Sequence, residues 1–428
     1  MGRFIEKNDK PWLWSGGGIG AGLAIGFALA HIRTLREWPW DILAQPLATL
    51  GAGFAAIVAA GIALHNGEKT REQDKEIHET QSQAEQERTL RERFMSIVEL
   101  LATDDLTKRE SGAYAMAALA DDWAAFYEDD QESALREQQV CLNILTGQLR
   151  DPILKNSPSE LYTFKERIQD IIFTRFEEGN EKSSGQWSDL DLTLENCHFY
   201  NISSEGIFKN RASFTNSHFH GKTSFASAHF YNNTSFKGAH FYKYADFNGV
   251  HFNIKTPFDP NEYHRTYADF SETNFHDSVS FMETIFHSGA TFDRAHFNSN
   301  TPPQKARAFV MDAMFYLAHF YGIASFSYTH FHMCAQFHKV NFHESTRFEK
   351  VHFENFAHFK DSRFSKKTSF KHAHFKGNTN FEDVHFSDTA DFSNVKFKLP
   401  ESHESNKIIK SLNTNLDNAE FGAEFPTG

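Results

Sequence analysis

Twenty of the chain's 24 histidines fall between residues 187 and 397. A set of ten, at 218, 229, 240, 251, 296, 319, 330, 352, 374 and 385, stands directly before a phenylalanine. Imidazoles repeated in this way suit two kinds of chemistry: they ligate transition metals, or they respond to pH because protonating close neighbours is mutually unfavourable. The densest group is His330, His332, Cys334 and His338, with Met333 among them. His-x-His on one strand face chelates a transition metal, so these four are the candidate metal ligands, although no carboxylate in the local sequence is placed to orient them. The plain alternative is a surface position that favours a flat polar side chain able to stack on its own copies.

The histidines are positioned by a longer pattern of phenylalanine, which accounts for 45 residues. From Phe214 it recurs at 219, 225, 230, 236, 241, 247 and 252, with steps alternating between five and six. The beat resumes over 270–297 and again, unbroken, over 315–397. A fixed period of eleven marks a stacked repeat. Two positions before each Phe stands a small or β-branched residue, such as Thr223, Ala228, Thr234 and Ala239. In extended backbone, positions i and i−2 share a side, so each short strand sends one large and one small side chain inward. Phe225, Phe230, Phe236, Phe241, Phe326, Phe331, Phe337, Phe342, Phe370 and Phe375 are thus structural core, and the residues on either side of each Phe face water. If four Phe close one coil, a coil is about 22 residues, residues 199–397 make about nine coils, and histidines one coil apart stack within about 5 Å as ladders on two faces.

Units such as Thr234-Ser-Phe236-Lys-Gly-Ala239-His-Phe241 resemble the pentapeptide-repeat superfamily in its Phe-rich 5+6 variant. The resemblance spans roughly 187–425 and implies a right-handed quadrilateral β-helix. Arg93–Asp151, with Arg109-Glu-Ser-Gly-Ala-Tyr-Ala-Met-Ala-Ala-Leu119, resembles the small helical module that precedes such repeats in bacterial membrane-anchored members. Two departures stand out. The intervals from Phe252 to Phe270 and from Phe297 to Phe315 each exceed a 6+5+6 step by one position, and they carry Pro257 with Pro260 and Pro302 with Pro303. Each gap reads as a one-residue bulge or short protruding loop. Leu416-Asp-Asn-Ala419-Glu-Phe421 restores the pattern as a terminal cap.

The N-terminal half is different. The stretches 12–32 and 42–64 contain no Asp, Glu, Lys or Arg, and each has the roughly 20 residues that a membrane helix needs. Trp12, Trp14, Trp38 and Trp40 bracket them as interfacial rings, and the basic residues favour both termini inside. Gly16, Gly20, Gly18, Gly22 and Gly26 provide small-xxx-small spacings for close helix approach. Ala28-Leu29-Ala30 has the form of a signal-peptidase site, but the apolar run is long for a signal core. Residues 65–93 are rich in Glu, Gln, Lys and Arg and read as a solvated helical stalk, with too short an apolar seam to specify a coiled coil. Residues 94–180 carry four amphipathic patterns, around Phe94–Leu101, 106–124, 133–150 and from Pro158, which together read as a small adaptor bundle.

Residues 66–186 hold 15 Lys and Arg against 26 Asp and Glu, whereas 187–397 hold 20 against 21. Neither region has the basic footprint of a nucleic-acid binder. No nucleophile elbow, zincin motif or phosphate loop is present, so neither catalysis nor a cofactor is expected. Three cysteines (Cys141, Cys197, Cys334) suit a reducing compartment and cannot form a disulfide framework. The expected fold class is therefore mixed: a two-helix transmembrane hairpin (1–64), a helical stalk, a helical bundle, then an all-β solenoid. The expected function is a scaffold in the cell's inner membrane whose cytosolic solenoid binds a protein partner, with self-association through the hairpin or the solenoid end. Two alternatives are a membrane-linked defence or stress effector with the solenoid as sensor, and a DNA-mimicking topoisomerase regulator, a role known in the resembled family. The second needs a strongly acidic solenoid to replace phosphate charge, and this one is near neutral.

Overall fold

The computed structural model describes residues 40–154, 157–177, 187–254, 267–297 and 313–397, with short strands at 414–415 and 420–421. The chain divides into two units, 1–85 and 86–428. In the first, the described residues belong to helix α1, which runs without a break from Trp40 to Leu101 and continues into the second unit. The helix passes residues 65 and 94 without interruption, because strong helix formers fill the segment and no proline follows Pro46 before Pro152. Residues 65–86 of the helix are exposed on all sides. Of the expected transmembrane pair, 12–32 lies outside the described residues. Among the described residues no helix is long and apolar enough to cross a membrane, so the hairpin is not supported by the structure.

In the second unit α1 joins α2 (Leu106–Phe126), α3 (Gln131–Gly147) and α4 (Ser159–Phe173). Asp105 caps α2 by accepting from the N–H groups of Thr107 and Lys108, and Asp130 caps α3 through Ser133. Leu101, Met116, Trp123, Leu142, Leu145 and Ile168 are buried in one core. The small-residue run of α2 has a packing cause: a Cβ on Gly112 would lie 3.1 Å from the Cβ of Leu100, so α1 and α2 approach at that point.

The solenoid follows, built from two- and three-residue strands in four parallel sheets. Sheet 1 begins at Leu192–Thr193, sheet 2 at His198–Phe199, sheet 3 at Ile202–Ser203 and sheet 4 at Ile207–Phe208. Sheets 3 and 4 have 8 strands and sheets 1 and 2 have 10. Eight coils therefore have all four faces, and the strands at Thr414–Asn415 and Glu420–Phe421 extend two faces by pairing with Ala390–Asp391 and Lys396–Phe397. The count is slightly below the nine expected.

The Phe side chains fill the interior in four columns. Phe337 stacks on Phe359 at 5.0 Å and 4°, while Phe326 meets Phe337 edge-to-face at 5.3 Å and 88°. Facing columns thus interlock at right angles, an arrangement that ring quadrupoles favour. Between the two Phe of a pair the chain turns by a bond from an N–H to the first Phe carbonyl three positions earlier, as from Ala228 to Phe225 at 2.9 Å. The third residue of that turn has positive φ: Ser227, Leu317 and His372 at 62°, 58° and 58°, with glycine, among the described residues, at Gly238 and Gly249 alone. Such turns favour glycine there, because a side chain in the left-handed region is crowded.

Both gaps are larger features than a one-residue bulge. Phe252 on sheet 4 and Phe270 after sheet 1 lie on consecutive faces, as do Phe297 on sheet 2 and Phe315 after sheet 3. The usual step between those faces is six, as from Phe230 to Phe236 and from Phe219 to Phe225, so each gap adds an insertion of twelve at one corner and skips no face. A bulge looks sufficient in sequence only because the lengthened corner nearly equals three ordinary steps.

The helical bundle closes the first coil. Phe176 stacks on Phe208 at 4.9 Å, and Phe173 contacts Phe199 and Phe225, so the Phe columns continue into the end of α4. The Gln169 amide accepts from the Tyr200 N–H at 2.7 Å and donates to the Tyr200 carbonyl at 2.8 Å, pairing with the strand edge as another strand would. The His198 N–H reaches the Leu149 carbonyl at 2.8 Å. Two stability changes are expected in urea unfolding. Gln169→Ala, which leaves both Tyr200 groups unpaired, lowers stability by about 1–3 kcal/mol. Leu317→Gly raises it by up to about 1 kcal/mol, because relief of the left-handed strain exceeds the entropy that glycine adds to the unfolded chain.

Candidate functional site

Side chains flanking the second Phe of each pair point out of the coil, where the parallel register stacks them on their equivalents in neighbouring coils. On sheet 2 the column before Phe reads His198, His218, His240, Asn274, His296, His330, His352 and His374. Ring centroids are 4.9 Å apart for His198–His218, 5.0 Å for His218–His240 and 4.5 Å for His330–His352. Sheet 4 is interrupted: His229 and His251 stack, but Ile285, Asn341 and Arg363 take positions in the same column. One face, therefore, carries the near-continuous ladder.

A second column, one position after Phe, lies beside it. Tyr200, His220, Tyr242 and His276 stack in turn at 5.0, 5.1 and 4.8 Å with interplanar angles of 13°, 9° and 2°. Strand alternation alone marks these only as solvent-facing positions. A signal is nevertheless present, in the recurrence of Tyr or His after Phe199, Phe219, Phe241 and Phe275. The two columns are cross-linked from coil to coil. His198 Nδ1 meets His220 Nε2 at 3.0 Å, His218 Nδ1 meets the Tyr242 hydroxyl at 3.0 Å, and His240 Nδ1 meets His276 Nε2 at 3.2 Å.

The rungs project outward as expected and are half-buried, because each covers its neighbours. Burial, followed by the charge of His218 and His220, holds His198 down at about 4. His240 is held at about 4 by burial, then by His218 and His276. His330 is held at about 4 by burial and by His352, His296 and His332, with Glu354 opposing. The ladder is neutral at pH 7, and a neutral ring supplies one donor and one acceptor, as the cross-links need.

The four sequence candidates separate. His330 and His332 flank Phe331 on sheet 2, where His296 of the preceding coil joins them. Cys334 and His338 belong to the next face: Cys334 precedes the strand Ala335–Gln336 of sheet 3, and His338 Nε2 lies 3.3 Å from Asp361, beside His358. Met333 is buried between the faces. The ten core phenylalanines named above are all buried.

One open cleft of about 750 Å³ lies outside the solenoid interior, lined by Thr174, Glu177, Ser204, Glu205, His229 and Tyr231 among others. Glu177 is held above the usual carboxylate range by burial and then by Glu205. The cleft lies at the junction of the end of α4 with the first coils.

A family model described as "Pentapeptide repeats (9 copies)" matches residues 207–253, 326–373 and 348–396. No curated protein and no solved structure matches the chain.

The pH dependence of stability follows from the ladder. The unfolded imidazoles titrate near 6.5 and the folded His198 and His240 near 4, so between these values the unfolded chain binds more protons. Stability contributed by the neutral ladder is complete above pH 6.5 and is lost as pH falls towards 4. The melting temperature is expected to fall across that window. His240→Asn, which copies the native Asn274 of the next coil, makes the fall shallower while leaving the pH 8 value near that of the parent.

Proposed function

We propose that this solenoid of pentapeptide repeats is a non-catalytic scaffold that binds a protein partner through the imidazole and tyrosine face of sheet 2. The observation that carries the reading is the filled interior: four Phe columns occupy the space inside the coils, and outward side chains alone remain to recognise anything. Sheet 2 is the face on which those side chains form an ordered array of donors, acceptors and flat aromatic surface. Tyrosine and histidine edges of this kind suit a polar partner surface better than an apolar groove.

We extend the proposal to attachment at the inner membrane, with the solenoid on the cytosolic side. Two features support it. One is the pair of uncharged stretches 12–32 and 42–64 in sequence. The other is the exposure of Ile57, Val58, Ile62 and Leu64 on α1, which form an apolar helical surface that water does not favour. The near-neutral solenoid, with Lys360 and Lys376 paired to Glu382 and Glu354, argues against mimicry of DNA.

Site-specific photo-crosslinking in cells tests both parts. With a crosslinker at Tyr242, on the ladder, and at Arg347, on sheet 1, a discrete protein adduct is expected from Tyr242 alone, in the alkali-resistant membrane fraction. Equal adducts from both positions, or recovery of a topoisomerase as the adduct, would remove this reading. Extraction of the protein by alkali would remove the membrane attachment.

A further inference from the structure

We infer that His296, His330 and His332 form a binding site for one divalent transition-metal ion of the zinc class, held on the outside of sheet 2. One ring nitrogen from each lies within 4.8 Å of the other two, and this is the one such cluster of three among the described residues. His296 Nδ1 and His332 Nε2 are already 3.4 Å apart. Two nitrogens at about 2.0–2.1 Å from a tetrahedral zinc are separated by about 3.3–3.4 Å. That pair already has the separation a tetrahedral ion needs, and a ring nitrogen of His330 lies within 4.8 Å of both, so reorienting the rings in place brings three lone pairs onto one ion. Three imidazoles with an open fourth position select zinc, cobalt, nickel or copper over magnesium and calcium, which prefer oxygen.

The fold brings the three together. His330 and His332 project from the same side of one short strand because Phe331 between them points inward. His296 is the register partner of His330 although it lies far upstream in the chain, since the corner insertion after Phe297 lengthens the coil without shifting the register. The same three positions at the start of the solenoid hold His198, His218 and His220. There, His218 Nδ1 is taken by the Tyr242 hydroxyl at 3.0 Å. At the position equivalent to Tyr242, His330 has Glu354, whose charge acts on both His330 and His332. Glu354 is itself fixed by Lys376 at 2.9 Å. A carboxylate beside imidazole ligands favours the cation, as a tyrosine hydroxyl does not. The neutral rings need lose no net proton on binding: each ligating nitrogen presents its lone pair while the other nitrogen of the ring keeps the proton.

Cobalt is the probe, because tetrahedral Co²⁺ absorbs in the visible and Zn²⁺ displaces it. Metal-free full-length protein titrated with Co²⁺ is expected to develop these bands with one ion bound per chain, and to lose them on adding Zn²⁺. His296→Asn and, separately, His332→Gln are expected to abolish the bands. His218→Asn, in the similar but tyrosine-blocked cluster, leaves them intact. Glu354→Gln weakens binding by about tenfold or more. Melting curves in chelator confirm that each variant is folded; asparagine is native to this column at Asn274. Absence of the bands at saturating Co²⁺, or bands and stoichiometry unchanged in His296→Asn, overturns the site.

Discussion

Everything in the solenoid depends on one packing condition: a phenylalanine from each face must find its equivalent in the next coil. A single coil of two-residue strands cannot bury its own aromatic rings or close its own hydrogen-bond ladder. Stacked at about 5 Å, with facing columns interlocked near 90°, the rings are buried. The condition explains what the chain tolerates. Corners accept insertions of twelve because register is set by the strands on either side. Left-handed strain at Leu317 and His372 is accepted because the turn must bring the next Phe inward.

The same condition makes the first coil a problem, because its outer side needs something to stack against. The end of α4 solves it by imitating a coil, with Phe173 and Phe176 in place of core rings and the Gln169 amide in place of a strand. Within the bundle, Lys165 of α4 is buried against the segment that follows α3. Its ammonium donates to the carbonyls of Gln148 and Asp151 and is held at about 8 by burial. The bundle is thus the solenoid's end-piece as much as a separate adaptor.

Outside the coil, the register that stacks phenylalanine also forces the flanking side chains into columns. Histidine and tyrosine suit such columns because they are flat and because each supplies both a donor and an acceptor. The resulting ladder is a neutral, hydrogen-bonded surface. Its chemistry changes where one rung changes: Tyr242 closes the nitrogen of His218, whereas Glu354 places a negative charge by His330 and His332.

The repeat, its inward phenylalanines and the stacking of histidines were legible in the sequence because they are properties of a local period. Spacings of five, six and two decide which way a side chain points, and no distant residue is needed to read them. What only the tertiary structure decided involves residues that meet across long separations. The insertions look like bulges until the strands on each side are seen to be consecutive. His330 and His332 look like neighbours of Cys334 and His338, yet a corner turns those two away and register delivers His296 from the coil before. The pairing of Gln169 with Tyr200 has no sequence signal at all, since a glutamine on an amphipathic helix reads as a solvated residue. Period fixes direction, but contact depends on which coil lies next, and that is settled only when the coils have stacked.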